Sequence, residues 1–184
     1  MTEQIPDNQE APKAQSSAKP SRLRRWLLEA LALLLILTLV HLWQTRDTAQ
    51  GQAPPLTAKL LSGETFTLAS PREKPLLVYF WSTWCPICRM TTGSVDSLAE
   101  ESPVITIALQ SGDARTVADY LENKALKFPV INDPDGRIAK AWGARGVPTF
   151  YILDKQGKIR FVSVGYTSSL GLRIRLWLTE WLPV

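Results

Sequence analysis

Leu76-Leu77-Val78-Tyr79-Phe80-Trp81-Ser82-Thr83-Trp84-Cys85-Pro86-Ile87-Cys88 decides how this chain is read, because a six-residue apolar run ends in both of the protein's cysteines. The run reads as a short buried strand, bounded before it by Pro75 and after it by Ser82-Thr83. Cys-X-X-Cys at the start of a helix is an arrangement suited to dithiol redox chemistry. A helix N-terminus carries unsatisfied N–H groups and partial positive charge, which favour a thiolate at the first cysteine. Two intervening residues place the second sulfur one helical turn away, within bonding reach of the first.

Working outward, the rest of the chain has the order expected of an α/β sandwich. Thr57–Leu61 and Thr65–Leu68 flank Ser62-Gly63-Glu64 and predict a small hairpin. After the cysteines a helix is predicted from Pro86 to about Glu100, then a strand over Val104–Leu109 and a helix near Arg115–Asn123. A brief strand at Val130-Ile131 leads to the turn Asp133-Pro134-Asp135-Gly136 and a short helix over Ile138–Trp142. Phe150–Leu153 and Ile159–Val164 are joined by Asp154-Lys155-Gln156-Gly157-Lys158, a strong hairpin signal. A closing helix is predicted near Ser169–Trp181, with Leu170, Ile174, Trp177, Leu178 and Trp181 on one face. Strands alternating with helices and ending in a hairpin imply a mixed sheet between helical layers.

The N-terminal part has a different composition. Residues 1–25 are polar, with three prolines, and read as a disordered tail. Trp26 to Trp43 is an apolar run of 18 residues, roughly 27 Å as a helix and close to the hydrocarbon thickness of a bilayer. Trp26 and Trp43 stand where interfacial aromatics belong, and Glu29 lies close enough to one end to reach headgroups or Arg25. Lys13, Lys19, Arg22, Arg24 and Arg25 precede the run, whereas Arg46 alone follows it closely. That imbalance predicts a cytoplasmic N-terminus and a single-pass anchor in the inner membrane, with the remainder outside it. Residues 44–55 read as a linker and 56–184 as one soluble domain.

Composition excludes several classes. A net charge of +4, with no patch interleaving aromatic and basic residues, gives no case for nucleic-acid binding. Two cysteines and one histidine cannot build a structural zinc site within one chain, so no metal and no cofactor are expected. His41 is far from Cys85 in the chain and is no candidate base for it.

Phe80-Trp81-Ser82-Thr83-Trp84-Cys85-Pro86-Ile87-Cys88, together with Gly146-Val147-Pro148-Thr149-Phe150 and the final hairpin and helix, resembles the thioredoxin superfamily. Within it, the membrane-anchored TlpA-like branch is the most similar, in particular the suppressor-of-copper-sensitivity D group. The resemblance covers about residues 56–182. It implies a thioredoxin-like three-layer sandwich and a protein-disulfide oxidoreductase. It also implies that Pro148 is a cis-proline facing the cysteines, with the backbone of Val147 offered to an extended substrate segment. Two positions depart from the pattern: Tyr79 stands where thioredoxins carry a buried Asp, and Thr91 where cytochrome-maturation relatives carry a Glu. The proton path is therefore unassigned. Gly93 also replaces a proline of the first helix.

Thiol–disulfide exchange is the expected chemistry. Cys85, exposed at the helix start, exchanges with substrate, and the more buried Cys88 resolves the mixed disulfide. Trp84 supplies an apolar collar, while Pro86 and Ile87 tune the reduction potential. Protein thiols or disulfides are the expected substrates. Because every cysteine lies in the motif, a separate membrane thiol electron carrier is the expected reductant. Three other readings stand beside this one. A peroxiredoxin-like peroxidase would need a threonine where Ser82 stands; a copper(I) module would use Cys85, Cys88 and Met90; a bare structural tether would leave the cysteine pair without a purpose.

Overall fold

The computed structural model describes residues 22–45 and 49–181, with side chains from residues 24–40 and from residue 49 onward. Two units are distinct, Met1–Val40 and His41–Val184. The expected tail lies outside the described residues up to position 21, and so do the side chains of His41 and Trp43.

In the first unit, helix α1 (Arg22–Thr45) is longer at both ends than the apolar run. Its large apolar side chains from Trp26 to Val40 are all exposed. Its polar groups find partners along the helix itself. Arg25 Nε donates to Glu29 Oε1 at 3.0 Å, and Thr38 Oγ1 donates to the Leu34 carbonyl at 2.8 Å. The side chains described, residues 24–40, include Arg24, Arg25 and Glu29. Among the described residues no helix is long and apolar enough to cross a membrane.

The second unit is built on a six-stranded mixed sheet. Its strands are β1 (Gly51–Gln52), β4 (Leu76–Trp81), β5 (Val104–Leu109), β6 (Val130–Asp133), β7 (Thr149–Leu153) and β8 (Lys158–Val164). The spatial order is β1-β8-β7-β4-β5-β6, with β4, β5 and β6 parallel and β7, β8 and β1 antiparallel to their neighbours. β2 (Thr57–Lys59) and β3 (Thr65–Thr67) form the separate hairpin expected there, tied to β6 by a bridge between Leu60 and Ile131. Helices α2 (Pro86–Ala99), α3 (Ala114–Asn123), α4 (Arg137–Trp142) and α5 (Ser169–Trp181) complete the fold. This is the thioredoxin-like α/β architecture expected from the sequence.

β4 and β5 are buried at every residue, as central parallel strands covered on both faces should be. Alternation then sorts their side chains into two cores. Leu77, Tyr79 and Trp81 face a core shared with α2, α3 and α5; Leu76, Val78 and Phe80 face one shared with α4 and Tyr151. Trp142, at the end of α4, is wholly enclosed against Phe80 and Tyr151. Asp133, in the Asp-rich turn, accepts the N–H groups of Ile138 and Ala139 and so starts α4.

The structure corrects two expectations. The stretch read as linker, 44–55, is partly in the fold: β1 pairs with β8, Ala53 is buried, and its N–H donates to the Gly157 carbonyl at 3.0 Å. A two-residue edge strand carries too little apolar pattern to be seen in sequence. The apolar face of α5 is also not the face that packs. Leu172, Leu176 and Thr179 are buried, whereas Trp177 is 60% and Trp181 72% exposed. Leu172 and Leu176, one turn apart, meet the core beside α2, and this turns Leu170, Ile174, Trp177 and Trp181 outward.

Candidate active site

The turn from β4 into α2 is fastened to the end of β5. Ser82 Oγ donates to the Leu109 carbonyl at 2.6 Å, and Thr83 N–H donates to Ser111 Oγ at 3.1 Å. Trp84 Nε1 donates to the Gln110 carbonyl at 3.0 Å, which fixes the indole while leaving Trp84 56% exposed. Cys85 then takes an extended conformation, φ −83° and ψ 116°, and becomes the N-cap of α2. Pro86 at the first helical position has no N–H to leave unpaired.

Cys85 caps the helix with sulfur. The Cys88 N–H donates to Cys85 Sγ at 3.2 Å, the bond a Ser or Asp oxygen makes at an ordinary N-cap. Across the site, Cys85 Sγ lies 3.6 Å from the Val147 carbonyl, to which the thiol donates. Val147 precedes Pro148 through a cis peptide bond, and the Pro148 carbonyl accepts from Gly165 N–H at 2.8 Å. Residues separated by 62 positions thus meet at one sulfur.

Burial differs from expectation at this residue. Cys85 is only 4% exposed, not an exposed sulfur, because the Val147-Pro148 loop covers the position that the helix start would otherwise present to water. Cys88 is wholly enclosed. The two are unbridged thiols here. Burial pushes the Cys88 thiol up to about 12; the hydrogen bond with Cys85 pushes the same way, and the Tyr79 hydroxyl acts against it.

Of the residues singled out from sequence, Cys85, Cys88, Trp84 and Val147 meet through direct bonds or chain adjacency. Pro148 is buried behind Val147, and Pro86 and Ile87 are exposed on the first turn of α2. Sequence reasoning left Tyr79 and Thr91 without a role, and the structure brings them together under Cys88 with their hydroxyls 2.9 Å apart. Ser82, where a peroxidase would place its threonine, is fully buried with its hydroxyl committed to Leu109. Met90 is exposed while Cys88 is enclosed, so Met90 does not share the surroundings a third copper(I) ligand would need.

The family model described as AhpC/TSA matches residues 49–162, which hold both cysteines and the Val147-Pro148 loop. The chain belongs to the AhpC/TSA family. It is 37% identical over 164 residues to a thioredoxin-like protein of Haemophilus influenzae, covering 86% of this chain and 98% of that one. It is 29% identical to the thiol:disulfide interchange protein DsbE of Yersinia pestis, covering 89% of this chain and 94% of the relative. The crystal structure of StoA from Bacillus subtilis shares the fold at a TM-score of 0.59 and 22% identity, over 66% of this chain and 95% of that one. Thioredoxin-like architecture and the paired cysteines place the chain among the protein-disulfide oxidoreductases of this family.

Proposed function

We propose that this protein is a membrane-anchored thiol–disulfide oxidoreductase of the periplasm, with Cys85 exchanging with substrate and Cys88 resolving. One observation carries the assignment. A sulfur caps α2, accepts a backbone N–H at 3.2 Å, and meets the loop of the cis-proline at 3.6 Å, with a second sulfur enclosed one turn behind it. As a reductant, the Cys85 thiolate attacks one sulfur of a substrate disulfide and expels the other as a thiolate. Cys88 then gives up its proton and attacks Cys85 Sγ. The Cys85–Cys88 disulfide forms, and the second substrate sulfur leaves and takes a proton, so two electrons pass to the substrate. The reverse sequence oxidises a dithiol.

The substrate is an extended protein segment lying along the backbone of Val147 and Pro148, against the exposed apolar surfaces of Trp84 and Ile87. Pro86 and Ile87 set how the first turn of α2 meets the sulfur, and through it the reduction potential. A reductant of this kind needs recharging, and no cysteine lies outside the motif. A membrane protein that carries electrons as thiols is the proposed donor. The span 26–43 anchors the chain, with residues 1–25 a cytoplasmic tail and the catalytic domain on the opposite side. The basic residues before Trp26, the exposed apolar side chains of α1, and the bonds of Glu29 with Arg25 and of Thr38 with the Leu34 carbonyl support that reading.

Replacing Cys88 with Ala in the full chain tests the chemistry. The variant is expected to accumulate covalent, thiol-sensitive adducts on Cys85 in cells, and the double variant lacking Cys85 to form none; absence of adducts on the first would refute the assignment. Alkaline carbonate extraction and protease treatment of spheroplasts test the anchor. Release of the chain into the supernatant, or protection of the domain from protease, would remove it.

A further inference from the structure

Helix α5 carries two apolar stripes, and one of them has no cover among the described residues. At about 100° per residue, Leu172, Leu176 and Thr179 lie together on the side that meets the core beside α2. Leu170, Ile174, Trp177, Leu178 and Trp181 fall on the opposite side, within an arc of roughly 100°, and each is between 38% and 72% exposed. For side chains of this size, roughly 600 Å² of apolar surface stays in water, at the top of what a monomeric protein ordinarily exposes in one patch. Tryptophan, leucine and isoleucine without a charge among them is the composition of an interface centre. The edges are polar: Arg173 and Glu180 lie along one flank, and Arg175 along the other. On the first flank a cavity of about 230 Å³ opens beside Trp177 and Glu180, so the ridge has a groove next to it.

We propose that this face of α5 is the contact between two copies of the chain, packed antiparallel about a two-fold axis. Area and charge both select that occupant. Two such stripes placed face to face remove roughly 1,200 Å² from water, the lower end of what a specific interface buries. An axis through the middle of the stripe brings Leu170 of one copy against Trp181 of the other, and Ile174 against Trp177. The same operation sets like flanks side by side in opposite directions. Glu180 of each copy then comes within roughly 3 Å, measured along the helix, of Arg173 of the other, and this happens twice. Lys74 and Glu101 line the same groove, so the flank holds two charges of each sign and can pair with its own reverse. Parallel packing would bring Arg173 toward Arg175 of the other copy instead. A bilayer fits this face less well. The chain enters the domain at Ala49, whose N–H donates to the Trp142 carbonyl at 2.9 Å on the core of α4, across the sheet from the core that α5 covers. The inference does not depend on the redox reading above.

Sedimentation equilibrium of the full chain, reduced and in density-matched detergent, tests the contact. The unaltered chain is expected to exchange between one and two copies with a Kd on the order of micromolar. Ile174→Asp sets a charge at the centre of the stripe and is expected to weaken the dimer about a hundredfold or more. Glu180→Lys is expected to weaken it about tenfold at low salt, and less in about 0.5 M NaCl. Diluted to monomer, both variants should keep the urea midpoint of the unaltered chain, which separates loss of the dimer from loss of the fold. In membranes, benzoylphenylalanine in place of Leu178 identifies what covers the face, and a doubled mass cross-linked to the first half of α5 in a second copy is expected. A chain that stays monomeric up to about 0.2 mM, a dimer that Ile174→Asp leaves intact, or a Glu180→Lys variant as tight as the unaltered chain would overturn the inference. So would a cross-link from position 178 to lipid or to residues 22–45.

Discussion

Cys88 offers the sharpest test of how this fold treats a sulfur. Burial is the main cause that lifts its thiol from the ordinary 9.0 up to about 12. At pH 7 a thiol at 9.0 is about one-hundredth ionised, and one near 12 about one part in 10⁵, roughly a thousandfold less nucleophile. The perturbation is Cys85→Ser, which leaves Cys88 as the only sulfhydryl and leaves burial in place. Labelling by iodoacetamide, followed by mass spectrometry from pH 7 to 10, is expected to run well over tenfold below free cysteine at pH 7, short of the full thousandfold because the substitution also removes the part of the rise that Cys85 contributes. It should climb close to tenfold per pH unit with no plateau. Labelling within tenfold of free cysteine at neutral pH, or a plateau below pH 10, would refute the reasoning.

The same shift has a consequence for stability. Folded Cys88 holds its proton more tightly than the unfolded chain does, so its contribution is complete below pH 9 and is withdrawn as pH rises from 9 toward 12. The slope is at most about 1.4 kcal/mol per pH unit. The Cys85–Cys88 disulfide has no thiol proton to lose. Denaturant melts of the two redox forms should therefore diverge above pH 9, with the reduced form falling faster; parallel curves would contradict the assignment.

Other substitutions probe the frame around the site. Leu176→Ala should cost about 2–5 kcal/mol in urea unfolding, whereas Trp177→Ala, removing a much larger but exposed side chain, should cost less than about 0.5. The reverse ranking would mean α5 packs by its other face. Gly93 lies in the interior of α2 with nothing within 4 Å of where a Cβ would stand, so Gly93→Ala should stabilise by about 0.5–1 kcal/mol and raise Tm by a few degrees in calorimetry. Asp154 is buried in the β7–β8 turn and accepts from Gln156 N–H, Lys158 N–H and Arg160 Nε at 2.7–3.0 Å. Asp154→Ala should cost about 2–4 kcal/mol and Asp154→Asn distinctly less, since the amide oxygen can keep the two backbone bonds; equal losses would argue against that bonding pattern.

What was legible in the sequence was what a local pattern can encode. β4 and β5 are unbroken six-residue apolar runs, and the Asp154–Lys158 turn has strong hairpin chemistry, so these strands and the final hairpin could be read nearly residue by residue, while the order of strands in the sheet could not. β1 escaped because Gly51-Gln52 is a two-residue edge strand that pairs with β8 through its backbone and carries no apolar pattern. α5 misled because it carries two stripes, and the wider one, rich in tryptophan, is not the one that meets the core. The cysteines were placed correctly at the start of α2, Cys85 as its N-cap and Cys88 in its first turn, yet the enclosure of Cys85 comes from Val147, which no local window connects to it. The Tyr79–Thr91 contact was hidden for a similar reason. The two are 12 residues apart, one on a strand and one on a helix, and only packing brings their hydroxyls together.

The two sulfurs are one turn apart and made unlike by everything around them. Cys85 receives a backbone N–H at 3.2 Å and borders the loop where a substrate segment would lie; Cys88 is wholly enclosed, and burial dominates its ionisation. A symmetric dithiol would let an incoming disulfide react at either sulfur, and a mixed disulfide on the inner one would strand the substrate. Here the inner sulfur is unreachable from solvent and poorly ionised, so on the proposed chemistry exchange begins at Cys85 and can only resolve inward. Direction around the pair is thereby built into the fold, while direction of electron flow is left to whichever partner meets Cys85. On the proposed cycle, a chain whose only sulfhydryls are these two makes that meeting twice, once with substrate and once with the proposed donor, at the proposed surface of Trp84, Ile87 and Val147. On that cycle substrate and donor compete for it, and a change such as Trp84→Ala that weakens one should alter the balance between them rather than abolish exchange.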